Sequence, residues 1–577
     1  ILDLSKSGDQ PMTSSCGRYV ITFNGEIYNF TELQNDLKKK FNINFKNKTD
    51  TIVLLELISK LGLRKALDQV EGMFAFGLWD KKQKKLFLVR DRFGEKPLFF
   101  YKHSNFIVFS SELKSLSKFP LINLKISRRS SYYYSVLGYV PAPLSIYENI
   151  FKVMPAEVIS FRNKITKKNI YYQIPKPELN KELSYEKCKK ELLNTFEESI
   201  KKMMIADVEI GCFLSGGIDS SLVALLMQKN SVKKIKTFNV GFNESEYDES
   251  KFAESVAEKI GSHHHDIKVN VDDMLEHVEN ISNIVNEPFS DSSIIPTFII
   301  SKLAASKVKV VLSGDGGDEI FMGYNRYYFT KKIFKLKEKT PKIFRQIVGQ
   351  GIRLVPSGLY DSLSRPFQKL LGIHGFSHKM SKLSNILEYK NNSDFYEKLN
   401  IFDNEALDNK SEYHRNIFDK YQNIDLIDSV QRNDIDFYLP NDILVKVDRA
   451  SMFNSLEVRS PFLSHNVVNK AFELPIEFKL RNKITKYILK DLLSDFLPKS
   501  FVYRPKMGFA IPIERWISHK KFRKTLDNIF YESCWEEFGW KREKVLKKWL
   551  DYKKFGSSTP QCIWLYLMAG LWLNKWR

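Results

Sequence analysis

The chain has 577 residues, of which 43% are hydrophobic and 27% charged, and it carries a formal net charge of +22. This composition excludes a disordered chain, and the length predicts two large domains. Five scattered cysteines without a Cys-x-x-Cys pair argue against a disulfide framework and a zinc site, and they favour a reducing, cytoplasmic location. The basic excess leaves four interpretations open: nucleic acid, a membrane surface, an acidic substrate, or a lysine-rich solvated surface.

The predicted elements change character along the chain. Residues 1 to about 170 hold short β-rich runs between turn residues, and 174–184, with two prolines and several charges, is predicted to be a linker. Apolar strands then alternate with helices, which predicts an α/β domain with a doubly wound, mostly parallel sheet. Residues beyond about 385 are predicted to be mainly helical. The predicted strands are 18–23, 74–79, 85–89, 106–110, 208–214, 235–240 and 308–312, and predicted helices begin near 220 and 249.

The segment 215–221 (SGGIDSS) joins an apolar strand to a helix rich in Leu, Val and Ala. Two glycines let the backbone approach a ligand closely, and N–H groups at a helix N-terminus face an anion. The Lys of a Walker A loop is missing. The segment resembles the pyrophosphate loop of N-type ATP pyrophosphatases, in which the Asp, here Asp219, helps to hold Mg²⁺. A glycine-rich turn that binds nothing is the alternative.

A second loop, 313–319 (SGDGGDE), follows the strand predicted at 308–312. Its carboxylates repel one another unless a cation lies among them. The carboxyl ends of parallel strands are where ligands bind in open α/β sheets, so a ligand site is predicted here. A solvated turn is the alternative, and the nearby segment 287–293 (EPFSDSS) is a further source of polar ligands.

Much of the charge lies between residues 331 and 383, where twelve basic residues face only Glu338 and Asp361. Apolar residues recur there at helical spacing, among them Ile333 and Phe344. Two interpretations stay open: an amphipathic helical cover packed on the protein with its lysines in water, or a peripheral contact with an anionic surface. Nucleic acid is not expected, because no nucleic-acid-binding motif accompanies the charge.

Further motifs extend the pattern along the chain. They are 439–442 (LPND), 446–452 (KVDRASM), 456–463 (LEVRSPFL), 485–489 (TKYIL) and 504–509 (RPKMGF). In this order and spacing they resemble the synthetase half of the glutamine-hydrolysing asparagine synthetases. The resemblance implies that a substrate carboxylate attacks the α-phosphate of ATP, giving an acyl-adenylate and pyrophosphate, and that ammonia then displaces AMP. Ser460 and Ser464 depart from the family's usual pattern and bear on the acceptor pocket.

The resemblance implies a role for individual residues of this half. Asp219 and Asp318 would carry Mg²⁺, and Lys486 would neutralise the leaving pyrophosphate, as a fixed cation opposite developing phosphate charge must. A surface lysine on a helix is the alternative for Lys486. Asp315, where many members have Glu, would act in forming or consuming the adenylate. The residues implied to contact ATP are Leu214, Ser215, Gly216, Gly217, Asp219, Ser220, Val240, Ser313 and Gly314.

The amino-terminal part resembles the matching glutaminase, a class II amidotransferase domain with the α+β sandwich of N-terminal-nucleophile enzymes. The motifs are 23–29 (FNGEIYN), 50–51 (DT), 72–76 (GMFAF), 90–98 and 110–114 (SSELK). The Asn24 amide and the Gly25 N–H would form an oxyanion hole. Glu26 and Asp50 would receive the α-ammonium of glutamine. By itself, Asn24-Gly25 is more often a tight turn.

The amino-terminal Cys that serves as the family's nucleophile is not in this chain, which starts at Ile1 inside a family motif. Cys16 is internal and lacks the free α-amine. We expect the sequence to be a fragment of a longer protein; loss of glutaminase activity is the alternative. The chain as given is expected not to hydrolyse glutamine but to use free ammonia.

These patterns predict a glutaminase-like domain over 1–175 and a synthetase domain over 185–577, the latter with a doubly wound parallel sheet and a helical C-terminal part. The expected reaction converts aspartate to asparagine, with ATP and Mg²⁺ as cofactors and glutamine or ammonia as nitrogen donor. The same mechanism acting on another carboxylate, such as a sugar uronic acid, is one alternative. An inactive scaffold is another, opposed by the intact loops 215–221 and 313–319. A homodimer is left open.

Overall fold

The structure is a computed structural model that describes residues 8–45, 49–176, 183–244, 246–270, 273, 277–278, 280–354, 376–400, 417–505, 511–555 and 559–576. Three sequence predictions fall partly outside the described residues. They are the linker 174–184, the basic segment 331–383 and the motif 504–509.

The first part of the chain forms two antiparallel sheets. Six strands lie in the order β1-β2-β3-β4-β8-β9 and three in the order β6-β5-β7. The four strands predicted in this part are confirmed, and together with the helices they confirm its α+β character. The sandwich arrangement of the sheets stays a prediction. The strands are β1 Met12–Thr13, β2 Tyr19–Ile27, β3 Gly72–Asp80, β4 Lys85–Arg90, β5 Phe99–Lys102, β6 Ile107–Ser110, β7 Ile150–Lys152, β8 Glu157–Arg162 and β9 Ile165–Ile170. The helices are Phe30–Phe41, Asp50–Leu61, Leu63–Gln69, Leu113–Ser117 and Arg128–Leu137.

A five-stranded, wholly parallel sheet follows, in the order β12-β11-β10-β13-β14. Its strands are β10 Ile210–Phe213, β11 Lys236–Phe242, β12 His263–Val269, β13 Val310–Leu312 and β14 Glu457–Arg459. The parallel sheet is confirmed, while doubly wound packing of the helices stays a prediction. Cys212 of β10 pairs with Leu312 of β13. The loops after these two strands therefore leave neighbouring strands at the same edge.

Helices make up most of the rest, as predicted for the residues beyond 385. A π-helix, Asp434–Ile443, contains Pro440, whose missing N–H prevents a regular α-helical bond there. The helices of this part are Tyr185–Met203, Ile218–Lys229, Ser250–Ile260, Ile281–Ile284, Ile294–Ala305, Gly317–Ile320, Asn325–Lys339, Lys342–Leu354, Phe376–Leu387, Asn392–Asn400, Leu426–Asn433, Leu444–Phe453, His465–Glu473, Ile476–Lys479, Tyr487–Ser494, Lys499–Val502, Ile513–Ser518, Lys520–Glu532, Arg542–Phe555 and Pro560–Trp576, with 3₁₀ turns at Asp419–Tyr421, Pro461–Leu463 and Trp535–Phe538.

The two halves share a hydrophobic core. The helix Arg128–Leu137 of the first half packs into the C-terminal helices, where the rings of Tyr134 and Trp540 stack at 6.2 Å. The Tyr134 hydroxyl also donates to the Leu565 carbonyl (2.7 Å). Because an aromatic side chain buries a large apolar area, this packing ties the halves together.

The described part of the basic segment is helical, and its apolar side chains do not all point inward. Ile333 is buried, but Ile343, Phe344 and Ile347 are 70%, 57% and 60% exposed. The interpretation of this segment as a cover with its apolar side packed inward therefore holds at Ile333 and is wrong for the helix Lys342–Leu354. Among the described residues, no helix is both long and apolar enough to span a membrane.

Candidate functional site

A cavity of about 570 Å³ lies at the carboxyl edge of the parallel sheet. Its walls include both glycine-rich loops, because β10 and β13 are neighbours and end together. Ligands bind at this edge in open α/β sheets. Of the predicted site residues, the cavity lining includes Leu214, Ser215, Gly217, Asp219, Ser220, Ser313, Gly314, Asp315, Asp318 and Lys486.

Two predicted ATP contacts do not line this cavity. Val240 is buried within β11, and the neighbouring Asn239 lines the cavity instead. Gly216 adopts φ +73°, and a Cβ there would lie 2.6 Å from the Phe252 backbone. Glycine is therefore required at 216 for the shape of the loop, not to let a ligand approach the backbone closely.

Arg504 supports the loop 215–221 through its backbone. Its Nη2 donates to the Gly216 carbonyl (2.7 Å), and its guanidinium lies over the rings of Phe252 (4.0 Å) and Phe501 (4.3 Å). These contacts fix the loop at the N-terminus of the helix Ile218–Lys229. Free N–H groups at such a terminus suit an anion. In the sequence Arg504 stands out only as part of the motif 504–509, since nothing local predicts a partner 288 residues away.

Lys486 is a buried cation in the wall of the cavity. Its ammonium contacts Asp219 and lies 2.6 Å from Asp318 Oδ1. Burial alone would lower the pKa of Lys486, but the charges of Asp219 and Asp318 raise it above its ordinary value. A Cβ on Gly323 would overlap the Lys486 side chain and the Asp318 carboxylate. Lys486 is thus a buried, charged side chain, not a surface lysine.

The donor set fits a Mg²⁺ ion that also binds phosphate oxygens. Mg²⁺ takes one or two carboxylates and completes its shell with substrate phosphates and water, and Asp219 and Asp318 face one cavity. Cβ atoms on Gly314 and Gly317 would come within 2.8 and 2.7 Å of Asp219, so only glycines leave room for this carboxylate. Within the described ranges, no group of three or more His, Cys, Asp or Glu side chains could hold a metal by itself.

A second charged group lines the cavity near Asp315. The ammonium of buried Lys446 lies 3.2 Å from Asp291 Oδ2 and donates to Ser293 Oγ (3.0 Å). Burial would raise the pKa of Asp291, but Lys446 and the bonds from Ser293 hold it below its ordinary value. Burial raises the pKa of Asp315, and Lys446 opposes that rise. Lys446 and Asp291 lie in the segments 446–452 and 287–293, but no local pattern in the sequence predicts that the two residues meet.

The residues predicted for glutamine lie together on β2 and the helix Asp50–Leu61. Asp50 Oδ2 accepts from the Ile27 N–H (2.8 Å), and Asn24 Nδ2 donates to Ser111 Oγ (3.0 Å). Burial, and to a smaller extent the negative charge of Asp50, raises the pKa of Glu26 to about 7. Gly25 pairs with Phe74 and has no room for a Cβ. This is a strand position and not the tight turn considered as the alternative.

Ion pairs connect this buried group to the C-terminal half of the chain. Arg449 contacts the Glu112 carboxylate and donates to the Ser111 carbonyl (2.9 Å). Lys96 lies 3.1 Å from Asp448. A cavity of about 40 Å³ between the halves has Arg90, Lys152, Glu287, Asn441 and Arg449 in its walls.

Comparisons with known proteins agree with this architecture. The sequence model of the asparagine synthase family matches residues 191–574, and that of the glutamine amidotransferase domain matches residues 1–172. The chain is 30% identical over 582 residues to asparagine synthetase [glutamine-hydrolyzing] 1 of Bacillus subtilis, covering 99% of this chain and 88% of that protein. It is 31% identical to a putative asparagine synthetase [glutamine-hydrolyzing] of Mycobacterium tuberculosis (strain CDC 1551 / Oshkosh), covering 87% of this chain and 76% of the relative.

A third relative, the putative asparagine synthetase [glutamine-hydrolyzing] 2 of Methanocaldococcus jannaschii, is 37% identical over 373 residues, which are 61% of this chain and 70% of that protein. The predicted family and class of enzyme are confirmed by these matches. The chain belongs to the glutamine-hydrolysing asparagine synthetases, a family of ATP-dependent carbon–nitrogen ligases with an amidotransferase domain.

Proposed function

We propose that the chain converts aspartate to asparagine through an acyl-adenylate, using ATP and ammonia and releasing AMP and pyrophosphate. The observation that carries the proposal is one cavity that holds the glycine-rich loops, Lys486 between two carboxylates, and the Asp291–Lys446 pair. These groups match the charges of a nucleotide on one side and of an amino acid on the other.

In the first step, an oxygen of the acceptor carboxylate attacks the α-phosphorus of ATP and the bond to the pyrophosphate oxygen breaks. We assign the pyrophosphate to the loop of Ser215, Gly217 and Ser220 and to Lys486, whose buried charge opposes the charge that develops on the leaving group. Mg²⁺ held by Asp219 and Asp318 would supply further neutralisation of phosphate charge.

The Asp291–Lys446 pair supports an amino acid as acceptor. An α-amino acid presents an ammonium and a carboxylate side by side, which can exchange partners with a carboxylate and an ammonium on the cavity wall. Asp291 would receive the α-ammonium of aspartate and Lys446 its α-carboxylate, leaving the side-chain carboxylate for activation. A simple uronic acid has no ammonium for Asp291.

In the second step, ammonia attacks the acyl carbon, AMP leaves, and a proton is released. We propose that Asp315 contacts the reacting carboxyl group in forming or consuming the adenylate, because it lines the same cavity beside Lys446. In the glutamine-dependent reaction, Asn24 and Gly25 would stabilise the oxyanion, and Glu26 and Asp50 would bind the α-ammonium of glutamine. We assign the passage of ammonia to the small cavity between the halves, because residues of both halves line it.

The test is pyrophosphate release with ATP, Mg²⁺ and ammonium chloride, with aspartate or galacturonate as acceptor and mass spectrometry of the amide. We expect asparagine to form, with galacturonate at background. The Lys486→Met variant should lose roughly a hundredfold or more of this rate, whereas the matched variant of exposed Lys499, Lys499→Met, should retain it. Amidation of galacturonate without formation of asparagine would contradict aspartate as the acceptor and favour a uronic acid.

A further inference from the structure

A row of exposed apolar side chains runs along one face of the helix Lys342–Leu354. Its members, the apolar stripe, are Ile343, Phe344, Ile347, Val348 and Leu354, with exposed fractions of 70%, 57%, 60%, 37% and 82%. The spacing of three, four and seven residues places them on a single side of the helix. Exposed apolar residues that occur singly need no explanation, but a contiguous row on one helix does.

The opposite side of this helix is anchored on the protein. Arg345 is buried, and its guanidinium lies 6.0 Å from the Tyr389 ring. A Cβ on Gly349 would lie 3.2 Å from the Ser384 carbonyl, which shows how closely the helix approaches Phe376–Leu387. Because this side is held inward, the apolar stripe must face outward.

The segment that carries the apolar stripe is strongly basic. Residues 331–354 contain eight Lys or Arg and one Glu. Lys332, Lys335 and Lys339 on the preceding helix are exposed, and Lys337 lies with its ammonium 4.7 Å from the Tyr389 ring. A protein that only needed solubility would not combine this charge with an exposed apolar row.

We propose that this face docks on an anionic lipid surface, with the helix Lys342–Leu354 lying in the plane of the interface. Apolar side chains would enter the boundary between headgroups and acyl chains, and the lysines would bind the anionic headgroups. Charge complementarity selects lipid over a second copy of this chain, since the same basic residues would repel one another in a two-fold dimer through this face.

The location also relates docking to the active site. The helix Asn325–Lys339 starts with Asn325 and follows Tyr324, both in the wall of the large cavity, and the helix Lys342–Leu354 comes next in the chain. A chain docked through this face would hold the cavity near the lipid surface. The proposal does not depend on the acceptor, because binding to vesicles is measured without turnover.

The test is flotation of the chain with phosphatidylcholine vesicles, with and without phosphatidylglycerol, at low and high salt. We expect binding to the anionic vesicles that weakens with salt, since exposed charges are screened. Phe344→Ser combined with Ile347→Ser should weaken binding roughly tenfold or more, because membrane affinity scales with the apolar area that is buried. Lys332→Glu combined with Lys335→Glu should weaken it as well.

Matched controls use exposed residues elsewhere on the protein. Leu121→Ser with Ile165→Ser, and Lys81→Glu with Lys82→Glu, should bind vesicles like the parent chain. The stripe variants should keep the thermal midpoint and the rate of pyrophosphate release, so that weaker binding cannot be ascribed to unfolding. Absence of binding to anionic vesicles would overturn the proposal. So would equal losses in the controls, or a dimer that the stripe variant converts to monomer.

Discussion

The guanidinium of Arg459 lies 3.6 Å from the carboxylate of Glu26, so that a residue of the parallel sheet reaches a buried acid of the amino-terminal half. The backbone carbonyl of Arg459 accepts a hydrogen bond from the Ser313 N–H (2.9 Å) at the start of the acidic loop. Its guanidinium also contacts Glu457 at 2.6 Å. One fully buried arginine therefore touches both candidate sites.

The buried position of Glu26 predicts a distinct pH dependence of stability. Its pKa rises from an ordinary 4.5 to about 7 in the folded protein, so the folded chain binds this proton more tightly than the unfolded chain. Stability should therefore fall as pH rises from about 4.5 through 7, by about 3 kcal/mol for this group. In Glu26→Gln, urea unfolding across this range should lack that fall, whereas exposed Glu186→Gln should behave like the parent. An unchanged slope in Glu26→Gln would contradict the assignment.

A methyl group at position 323 should displace Lys486 or Asp318 and so lower the activity. Gly323→Ala places a Cβ on the Lys486 side chain and the Asp318 carboxylate, so one of them must move. We expect pyrophosphate release to fall at least tenfold, because a small misplacement of catalytic groups is costly. Gly351→Ala, whose Cβ would meet nothing within 4 Å, is the control and should keep its rate. Equal rates in the two variants would refute the role of Gly323.

Removing the charge of Asp291 should affect the acceptor and not the nucleotide. Asp291→Asn keeps the shape of the side chain but removes the partner proposed for the α-ammonium of aspartate. We expect KM for aspartate to rise about tenfold, in line with a lost charge-assisted hydrogen bond, while KM for ATP stays unchanged. Exposed Asp36→Asn should change neither constant. A rise in KM for ATP alone would contradict the assignment of Asp291 to aspartate.

Arg504 should have the reverse effect. Arg504→Met removes the donor to the Gly216 carbonyl but retains an unbranched side chain between Phe252 and Phe501. The loop would lose its fixed shape, so KM for ATP should rise several-fold while KM for aspartate stays within twofold. Exposed Arg481→Met, on another loop, is the control. Isothermal titration with a non-hydrolysable ATP analogue measures the same effect without turnover.

Local patterns predicted much of the fold and one side of the site. The alternation of apolar strands and helices indicated the parallel sheet, because strand and helix periodicities depend on near neighbours in the chain. The glycine-rich loops after β10 and β13 were recognisable for the same reason, and so were Asp219, Asp315 and Asp318. Lys486 was found only through the family's motifs, since an isolated lysine carries no local signal.

What the sequence by itself determined is therefore which residues share a strand, a helix face or a loop, and to which family they belong. Only the tertiary structure decided which of those faces and loops meet. Lys486 reaches Asp219 from 267 residues away. Arg504 holds the loop at Gly216 and Arg459 contacts Glu26, and no spacing rule connects the members of either pair. The same holds for the apolar stripe: its periodicity defines one side of a helix, but whether that side faces core or solvent depends on packing against another helix.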